Sequence, residues 1–104
     1  MIAEQRRTLT GALAGLPAEQ RQLIEVVIAR SSPCVGRTIR DANFRELYNA
    51  AVVAVHRNGA RLPNKIGDII LEPGDTLLLQ TRGDFVETHA NNPDFYLVRN
   101  VEGS

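Results

Sequence analysis

Asn58-Gly59 directly follows Ala51–Arg57, a run of small and β-branched residues that reads AVVAVHR. Both central positions of a type I′ turn take positive φ angles, so this pair predicts a tight β-hairpin. The return strand is confined to residues 60–63, because Pro63 has no amide hydrogen to donate to a neighbouring strand. An antiparallel pair in the middle of the chain argues against a doubly wound parallel fold.

Three further segments have the composition of β-strands. They read LIEVVIA at 23–29, TLLLQT at 76–81 and FYLVRNV at 95–101. Together with the hairpin they predict an α+β fold, in which short helices pack on a mixed, mostly antiparallel sheet. The chain has 104 residues, which is enough for one domain and too few for two.

Two short helical turns are predicted at 39–42 and 44–48. Thr38 and Asn43 each precede an acidic residue by three positions, so each can cap one of these turns. The turns would bury Ile39, Phe44 and Leu47, and Asn49 would close the second turn in the left-handed conformation. A third helix is expected over DFVETHA, residues 84–90, with Asp84 as its cap.

A longer helix is predicted from about Ala3 to Ala14, because Leu9, Leu13 and Leu16 share one face at helical spacing. Gly15 and Pro17 would end it. Its narrow apolar stripe predicts packing on the domain or on a partner chain. We therefore expect residues 1–17 to form an N-terminal helix and linker, and residues 22–104 to form the domain.

Charge is unevenly distributed although the net charge is zero. Residues 31–65 carry six Lys and Arg against two Asp and Glu, a net +4, whereas residues 66–104 carry two against seven, a net −5. This division is compatible with an anion site in the middle third, with charge complementarity in a dimer, or with a solvated surface on which the two halves lie adjacent. Duplex nucleic acid is not an expected partner, because the chain has neither a net basic excess nor an aromatic platform.

No segment approaches the roughly 20 apolar residues that a membrane span requires, and the first residues lack the apolar core of a signal peptide. The sequence therefore predicts a soluble cytoplasmic domain that does not insert into the membrane. It is equally compatible with a domain cut from a membrane protein.

No residue pattern of a catalytic or metal site is present. His56 and His89 lack the spacing of a metal pair, and Cys34 is a lone cysteine that we expect to be inert and partly buried. There is no G-x-S-x-G elbow and no glycine-rich phosphate loop. We expect neither an enzyme nor a bound metal.

The loop before the first short helix is the predicted binding site. Its candidate residues are Pro33, Val35, Gly36, Arg37, Thr38 and Arg40. Backbone amides at a helix start attract anions, two arginines lie beside them, and small residues let a ligand approach the backbone. The alternative is a plain strand-to-helix connection in which Gly36 permits a turn.

Glu72-Pro73-Gly74-Asp75 offers two carboxylates that could bind a hard cation. Pro at the second position and Gly at the third are also what a type II turn requires. We therefore predict a structural turn in which Asp75 accepts hydrogen bonds from turn amides and Glu72 closes the preceding strand. Asn58, Gly59, Pro73, Gly74 and Asp75 are thus assigned as turn residues.

Taken together, these segments resemble a known family. The pattern S-x-P-x-V-G-R-T-I-R-D, then NFRELYNAAVVAVHRNG, then IGDIILEPGDTLLL is similar to the C-terminal domain of regulators of potassium conductance, called RCK-C or TrkA-C. The similarity runs from about Ile24 to Val101. The middle segment and the ending DFYLVRNVEGS look most like copies inserted in sodium-coupled divalent-anion symporters.

The resemblance implies a TrkA-C-like domain that dimerises on the cytoplasmic side of the cell membrane, as part of the polypeptide of an ion or anion transporter. It also implies sensing of a small regulatory ligand, of nucleotide type or an ion, with no other cofactor. Cyclic di-AMP is bound at the dimer interface in some relatives of the family. NAD or ATP binding is not carried over, because no dinucleotide fingerprint occurs among these residues. The alternative function is a ligand-free structural dimerisation module of the same transporter.

Overall fold

Five strands form one sheet in the computed structural model, which describes residues 21–101. Their bounds are Arg21–Ile28 (β1), Ala51–Arg57 (β2), Ala60–Arg61 (β3), Thr76–Arg82 (β4) and Phe95–Asn100 (β5). The strand order is β3-β2-β4-β1-β5, and every pairing within the described residues is antiparallel. The predicted strands and the α+β class are confirmed. The sheet was predicted to be mixed and mostly antiparallel, and over residues 21–101 it is antiparallel throughout. The predicted helix at 3–14 lies outside the described residues.

Three short helices and one 3₁₀ turn pack on one face of this sheet. The helices are Ile39–Ala42 (α1), Phe44–Tyr48 (α2) and Phe85–His89 (α3), and the 3₁₀ turn is Ile66–Asp68. Alternate strand residues point toward them, because successive side chains of a strand face opposite sides. The resulting core includes Ile24, Val26, Ile28, Leu77 and Leu79 from the strands, and Ile39, Phe44, Tyr48 and Phe85 from the helices.

The predicted hairpin and turn are both present. Asn58 and Gly59 have φ angles of 55° and 80° and join β2 to β3, as a type I′ turn requires. Gly74 has a φ of 89°, which matches the third position of a type II turn. The amide of Glu72 donates to Asp75 Oδ2 at 2.9 Å, so Asp75 closes the turn as predicted.

The structure corrects the predicted caps. Thr38 Oγ1 accepts a hydrogen bond from the amide of Asp41 at 3.0 Å, as predicted. Asn43 instead adopts the left-handed conformation, with a φ of 57°, and makes no side-chain cap. It ends α1 and turns the chain into α2. Asp84 likewise makes no side-chain cap for α3.

The left-handed residue between α1 and α2 also changes which side chains are buried. The helical spacing predicted that Leu47 would be buried, and this is wrong: Leu47 is 52% exposed, whereas Tyr48 is only 5% exposed. A kink at Asn43 resets the phase of α2 relative to α1, so one continuous helical period does not describe the two turns. Asn49 closes α2 with a φ of 55°, as predicted.

Candidate ligand-binding cleft

The predicted binding loop is tied to residues 69–71 by its own backbone. The amide of Gly36 donates to the carbonyl of Leu71 at 2.9 Å, and the amide of Ile39 donates to the carbonyl of Ile69 at 3.0 Å. The amide of Leu71 in turn donates to the carbonyl of Arg37 at 2.9 Å. These amides are therefore occupied, and α1 has only four residues. The amides of Gly36 and Ile39 therefore do not hold an anion at this loop.

A buried polar chain fixes the loop to α2. Cys34 is 1% exposed, and its sulfur lies 3.9 Å from the hydroxyl of Tyr48. That hydroxyl donates to Asp94 Oδ2 at 2.7 Å. Burial, aided by the hydrogen bond to Asp94, raises the pKa of Tyr48. The thiol is thus packed inside the domain, where a reagent has little access.

His89 completes the aromatic cluster beside this chain. Its ring packs on those of Phe85, Tyr48 and Phe95, with centroids 4.5, 5.6 and 6.3 Å apart. Desolvation lowers the pKa of His89, although the charges of nearby Asp84 and Asp94 act in the opposite direction. His89 thus packs as a half-buried ring at the edge of the core.

An open cleft of about 450 Å³ lies where α1, α2, the start of β2 and the 3₁₀ turn meet. Ile39, Phe44 and Ala50 contribute to its lining and are buried, so they form its base. Arg40 and Arg45 also line it. The cleft therefore combines an apolar base with two guanidinium groups, a combination suited to an anion that also carries an apolar or planar part.

The two arginines differ in their existing partners. Arg40 Nη1 lies 2.7 Å from Asp68 Oδ1, with side chains 60% and 55% exposed. Such an exposed pair contributes at most about 1 kcal/mol and is readily exchanged for a ligand. Arg45 is exposed and makes no ion pair within residues 21–101. The Arg45 guanidinium is accordingly available to a bound anion.

Gly67 gives the cleft room for Arg40. A Cβ atom on Gly67 would lie 2.9 Å from Arg40 Nη2, closer than side chains normally approach. The guanidinium therefore lies directly against the backbone of the 3₁₀ turn. Any larger residue at position 67 would displace Arg40 from its present position.

Of the six predicted binding residues, Arg40 lines the cleft, whereas Pro33, Val35, Gly36, Arg37 and Thr38 do not. Sequence reasoning missed Arg45, Ile66 and Gly67 as lining residues. Arg45 follows Arg40 by five positions, a spacing that does not place two side chains on one face of a regular helix. The left-handed Asn43 between them brings both arginines to one cleft. Because asparagine adopts this conformation more readily than most residues, Asn43 was the sequence feature that could have indicated the bend.

The basic middle third and the acidic final third lie against each other. Arg57 pairs with Asp75 at 2.8 Å and with Glu72 at 3.3 Å, and Arg40 pairs with Asp68. The uneven charge distribution thus produces contacts within the domain. Arg45, which lines the cleft, is not part of these ion pairs.

Glu72 and Asp75 do not form a cation site. The Asp75 carboxylate receives Arg57 Nε and Nη2, both at 2.8 Å, and the amide of Glu72. Within residues 21–101, no group of three or more His, Cys, Asp or Glu side chains gathers to hold a metal ion. In the same part of the chain, no helix is long and apolar enough to cross a membrane.

The sequence pattern of the TrkA-C domain matches residues 23–88. The chain belongs to the TrkA-C domain family. This confirms the resemblance inferred from the motifs. The TrkA-C domain is a regulatory domain and not an enzyme, and transporters are among its relatives.

Two relatives from Chlamydomonas reinhardtii show the range of similarity. Sodium/sulfate cotransporter 2 is 45% identical over 84 residues, which cover 81% of this chain and 10% of the cotransporter. A putative sulfur deprivation response regulator is 39% identical over 95 residues, covering 91% of this chain and 16% of that protein. The chain thus spans about a tenth to a sixth of the length of these relatives.

Two solved structures share the fold of this TrkA-C domain. The RCK C domain of the potassium transport protein KtrA, in complex with c-di-AMP, has a TM-score of 0.57 and 21% identity over 72% of this chain and 86% of that one. The RCK C domain dimer of S. agalactiae BusR, also in complex with c-di-AMP, has a TM-score of 0.56 and 18% identity over 66% and 86% of the two chains. At these identities the likeness concerns the fold.

Proposed function

We propose that this TrkA-C domain senses a small anionic ligand and regulates a membrane transporter of the sodium/sulfate type, of whose polypeptide it forms part. The observation that carries the proposal is the cleft, in which Arg40 and Arg45 lie beside an apolar base. The relatives named as sodium/sulfate cotransporters support the transporter context. In this proposal residues 22–104 form the regulatory domain on the cytoplasmic side of the membrane, and residues 1–17 connect it to the preceding chain.

A nucleotide is the ligand class that fits the cleft best. Its volume of about 450 Å³ falls in the usual range for small-molecule sites, roughly 300–1,000 Å³. Phosphate groups would pair with the guanidinium groups, since arginine matches phosphate oxygens in a bidentate geometry. A base could pack on the apolar lining. Two domains of the same fold were solved with c-di-AMP, which makes that molecule the first probe.

The predicted loop has a secondary part in this proposal. Arg37 is exposed and lies just before α1, two residues of which line the cleft. We assign Pro33, Val35, Gly36, Arg37 and Thr38 to the border of the site, where exposed side chains contact the outer part of a ligand. The amides of Gly36 and Ile39 already donate to Leu71 and Ile69, which excludes a backbone anion hole at these two positions.

Coupling to transport is proposed to occur through a homodimer. An open cleft on one subunit can be closed by a second copy, and the related BusR domain was solved as a dimer. The alternative is a structural dimerisation module that binds no ligand. Leu47 and Ile70 are 52% and 55% exposed. Exposed apolar side chains of this size favour a protein interface on the face of the domain that carries the helices.

Thermal unfolding with a panel of probes tests the proposal. The probes are c-di-AMP, ATP, sulfate and Mg²⁺, each added to the full chain. A ligand at a hundredfold excess over its Kd stabilises the folded state by about 2.7 kcal/mol. Arg45→Gln should reduce the shift by about half or more, since a tenfold higher Kd leaves about 1.4 kcal/mol of stabilisation, whereas Arg30→Gln, an exposed arginine outside the cleft, should keep the full shift.

Sedimentation of the same protein separates the two functions. A dimer that responds to a probe supports sensing. A dimer with no shift from any of the four probes supports the structural module and contradicts sensing. A strict monomer at high micromolar concentration, with or without ligand, contradicts coupling through a homodimer.

A further inference from the structure

The second face of the sheet carries an apolar surface that no helix of residues 21–101 covers. The helices and the 3₁₀ turn contribute to the core on the opposite face. The strand register places Leu23 and Val27 of β1, Leu78 of β4, and Leu97 and Val101 at the β5 edge on this second face. Leu97 and Val101 are 41% and 43% exposed. We call these five residues the outer apolar surface.

One ion pair interrupts the outer apolar surface. Glu25 and Arg99 are opposite each other on β1 and β5, and Arg99 Nε lies 2.6 Å from Glu25 Oε1. The Arg99 side chain is 61% exposed, so its charge remains in water. An occupant of this face must therefore cover the aliphatic residues without burying the guanidinium, because a desolvated ion pair is costly.

This requirement distinguishes between two possible occupants. A second copy that stacked sheet on sheet would bring two Glu25–Arg99 pairs together and remove both from water. A single amphipathic helix covers a narrower band and can leave Arg99 at its side. The outer apolar surface therefore favours a helix with a narrow apolar stripe.

The chain itself supplies such a segment. Twenty residues precede β1, and among them Leu9, Leu13 and Leu16 recur at helical spacing. The β1 strand lies between β4 and the edge strand β5, so these residues join the sheet one strand in from the β5 edge. The opposite face is already filled by α1, α2 and α3. The outer apolar surface lies next to the point where the segment joins the sheet.

The lengths are compatible with docking in the same chain. A helix over residues 3–14 would be about 18 Å long, and β1 with its eight residues extends over about 26 Å. The six residues of the link 15–20 can span up to about 20 Å. Packed layers are separated by about 10 Å, so the link can return the helix onto the sheet.

We propose that residues 3–14 dock on the outer apolar surface of their own chain as an amphipathic helix, with Leu9 and Leu13 facing the sheet. The helix covers the aliphatic side chains and leaves the charge of Arg99 in solvent. It thereby links the regulatory sheet directly to whatever precedes this segment in the chain.

A double-mutant cycle on the full chain tests the docking. The stripe variant is Leu9→Ser/Leu13→Ser, and its control is Arg7→Ser/Ala14→Ser on the opposite side of the same predicted helix. We expect the stripe variant to lower Tm by at least about 8 °C, since two leucines lose their burial. The control should change Tm by less than about 2 °C.

The second half of the cycle removes the proposed partner. In a Leu97→Thr background, where the edge strand keeps a β-branched residue, the stripe variant should lose about half of its effect on Tm. Equal effects in the two backgrounds would show that the residues do not touch, and would overturn the proposal. A stripe variant with an unchanged Tm would overturn it as well.

Two further measurements separate docking in one chain from docking between copies. The Tm effect of the stripe variant should not vary with protein concentration between about 1 and 200 µM. A concentration-dependent effect would assign the surface to a second copy and contradict the proposal. Amide exchange of residues 3–14 should be slow in the parent chain and faster in Leu97→Thr, whose N-terminal sequence is unaltered.

Discussion

The contact between Arg57 and Asp75 is predicted to be the most important ion pair of the domain. Asp75 is fully packed, with 1% of its side chain exposed, and it receives Arg57 Nε and Nη2 at 2.8 Å each. Arg57 Nη2 also donates to the carbonyl of Ile70 at 2.8 Å. The hydrogen bonds and charge of Asp75, with the charge of Glu72, raise the pKa of Arg57. One guanidinium thus holds the turn at 72–75 against β2.

Replacing Arg57 with Met should destabilise the domain by about 3 kcal/mol. The methionine retains much of the aliphatic stem, but the Asp75 carboxylate stays buried without its cation, and breaking a buried pair in this way costs roughly 3–5 kcal/mol. We take the lower end because the Arg57 side chain is 26% exposed and water can partly replace it. For a domain of this size the loss corresponds to a Tm decrease of about 10–20 °C.

Arg40→Met is the matched control. Arg40 and Asp68 are 2.7 Å apart, yet both side chains are more than half exposed, so the variant should lose less than about 1 kcal/mol. Urea unfolding followed by circular dichroism measures both variants and the double variant Arg57→Met/Asp75→Asn. The double variant should be more stable than Arg57→Met alone, because it no longer buries a lone charge. Equal losses for Arg57→Met and Arg40→Met would refute the reasoning.

Three further predictions concern backbone, pH and a buried hydroxyl. Gly74→Ala should cost about 1–2 kcal/mol, because alanine disfavours a φ of 89°, whereas Gly83→Ala, whose new Cβ meets only an ordinary contact at 3.7 Å, should be nearly neutral in thermal unfolding. Burial lowers the pKa of His89, so the unfolding free energy should fall as pH drops below the ordinary histidine value of about 6.5; His89→Gln should flatten this slope in urea titrations between pH 7 and 5. Tyr48→Phe leaves its carboxylate acceptor without a donor and should cost about 1–3 kcal/mol by calorimetry. Tyr96→Phe removes a hydroxyl that accepts from the exposed amide of Arg30 at 3.1 Å, where water can replace it, and should cost less than about 1 kcal/mol.

The strands and turns could be predicted because their signals are local. Asn58-Gly59 and Pro73-Gly74 prescribe backbone conformations that few other residues adopt, and the structure contains both turns. The runs LIEVVIA and TLLLQT indicate strands by their β-branched and aliphatic composition, and burial alternates along TLLLQT in the structure. These elements need no information from distant residues.

The wrong predictions concern positions whose backbone conformation and burial depend on packing against residues distant in sequence. Asn43 was predicted as a cap, but its left-handed conformation redirects the chain and leaves Leu47 exposed. Helical spacing that is applied across both turns assumes a continuous helix and therefore does not predict a kink between them. The same kink brings Arg45 into the cleft beside Arg40, so the error in local structure and the missed binding residue share one physical cause.

The site prediction also depended on a local rule that the tertiary structure overrides. Helix-start amides were expected to hold an anion in the loop from Pro33 to Thr38. The amide of Gly36 instead donates to the carbonyl of Leu71, and the amide of Ile39 donates to the carbonyl of Ile69, beside the bridge between Thr38 and Ile70. What stays open to a ligand is the side-chain chemistry of the cleft, which depends on packing between four elements.

Isothermal titration of the full chain with c-di-AMP tests the cleft most directly. We predict saturable binding in the parent chain and an unchanged Kd in Arg30→Gln. Arg45→Gln should weaken binding at least tenfold, about 1.4 kcal/mol, because a charged hydrogen bond to phosphate is lost. Absence of binding in the parent chain, or equal Kd values for the parent and Arg45→Gln, would contradict the assignment of this cleft as the ligand site.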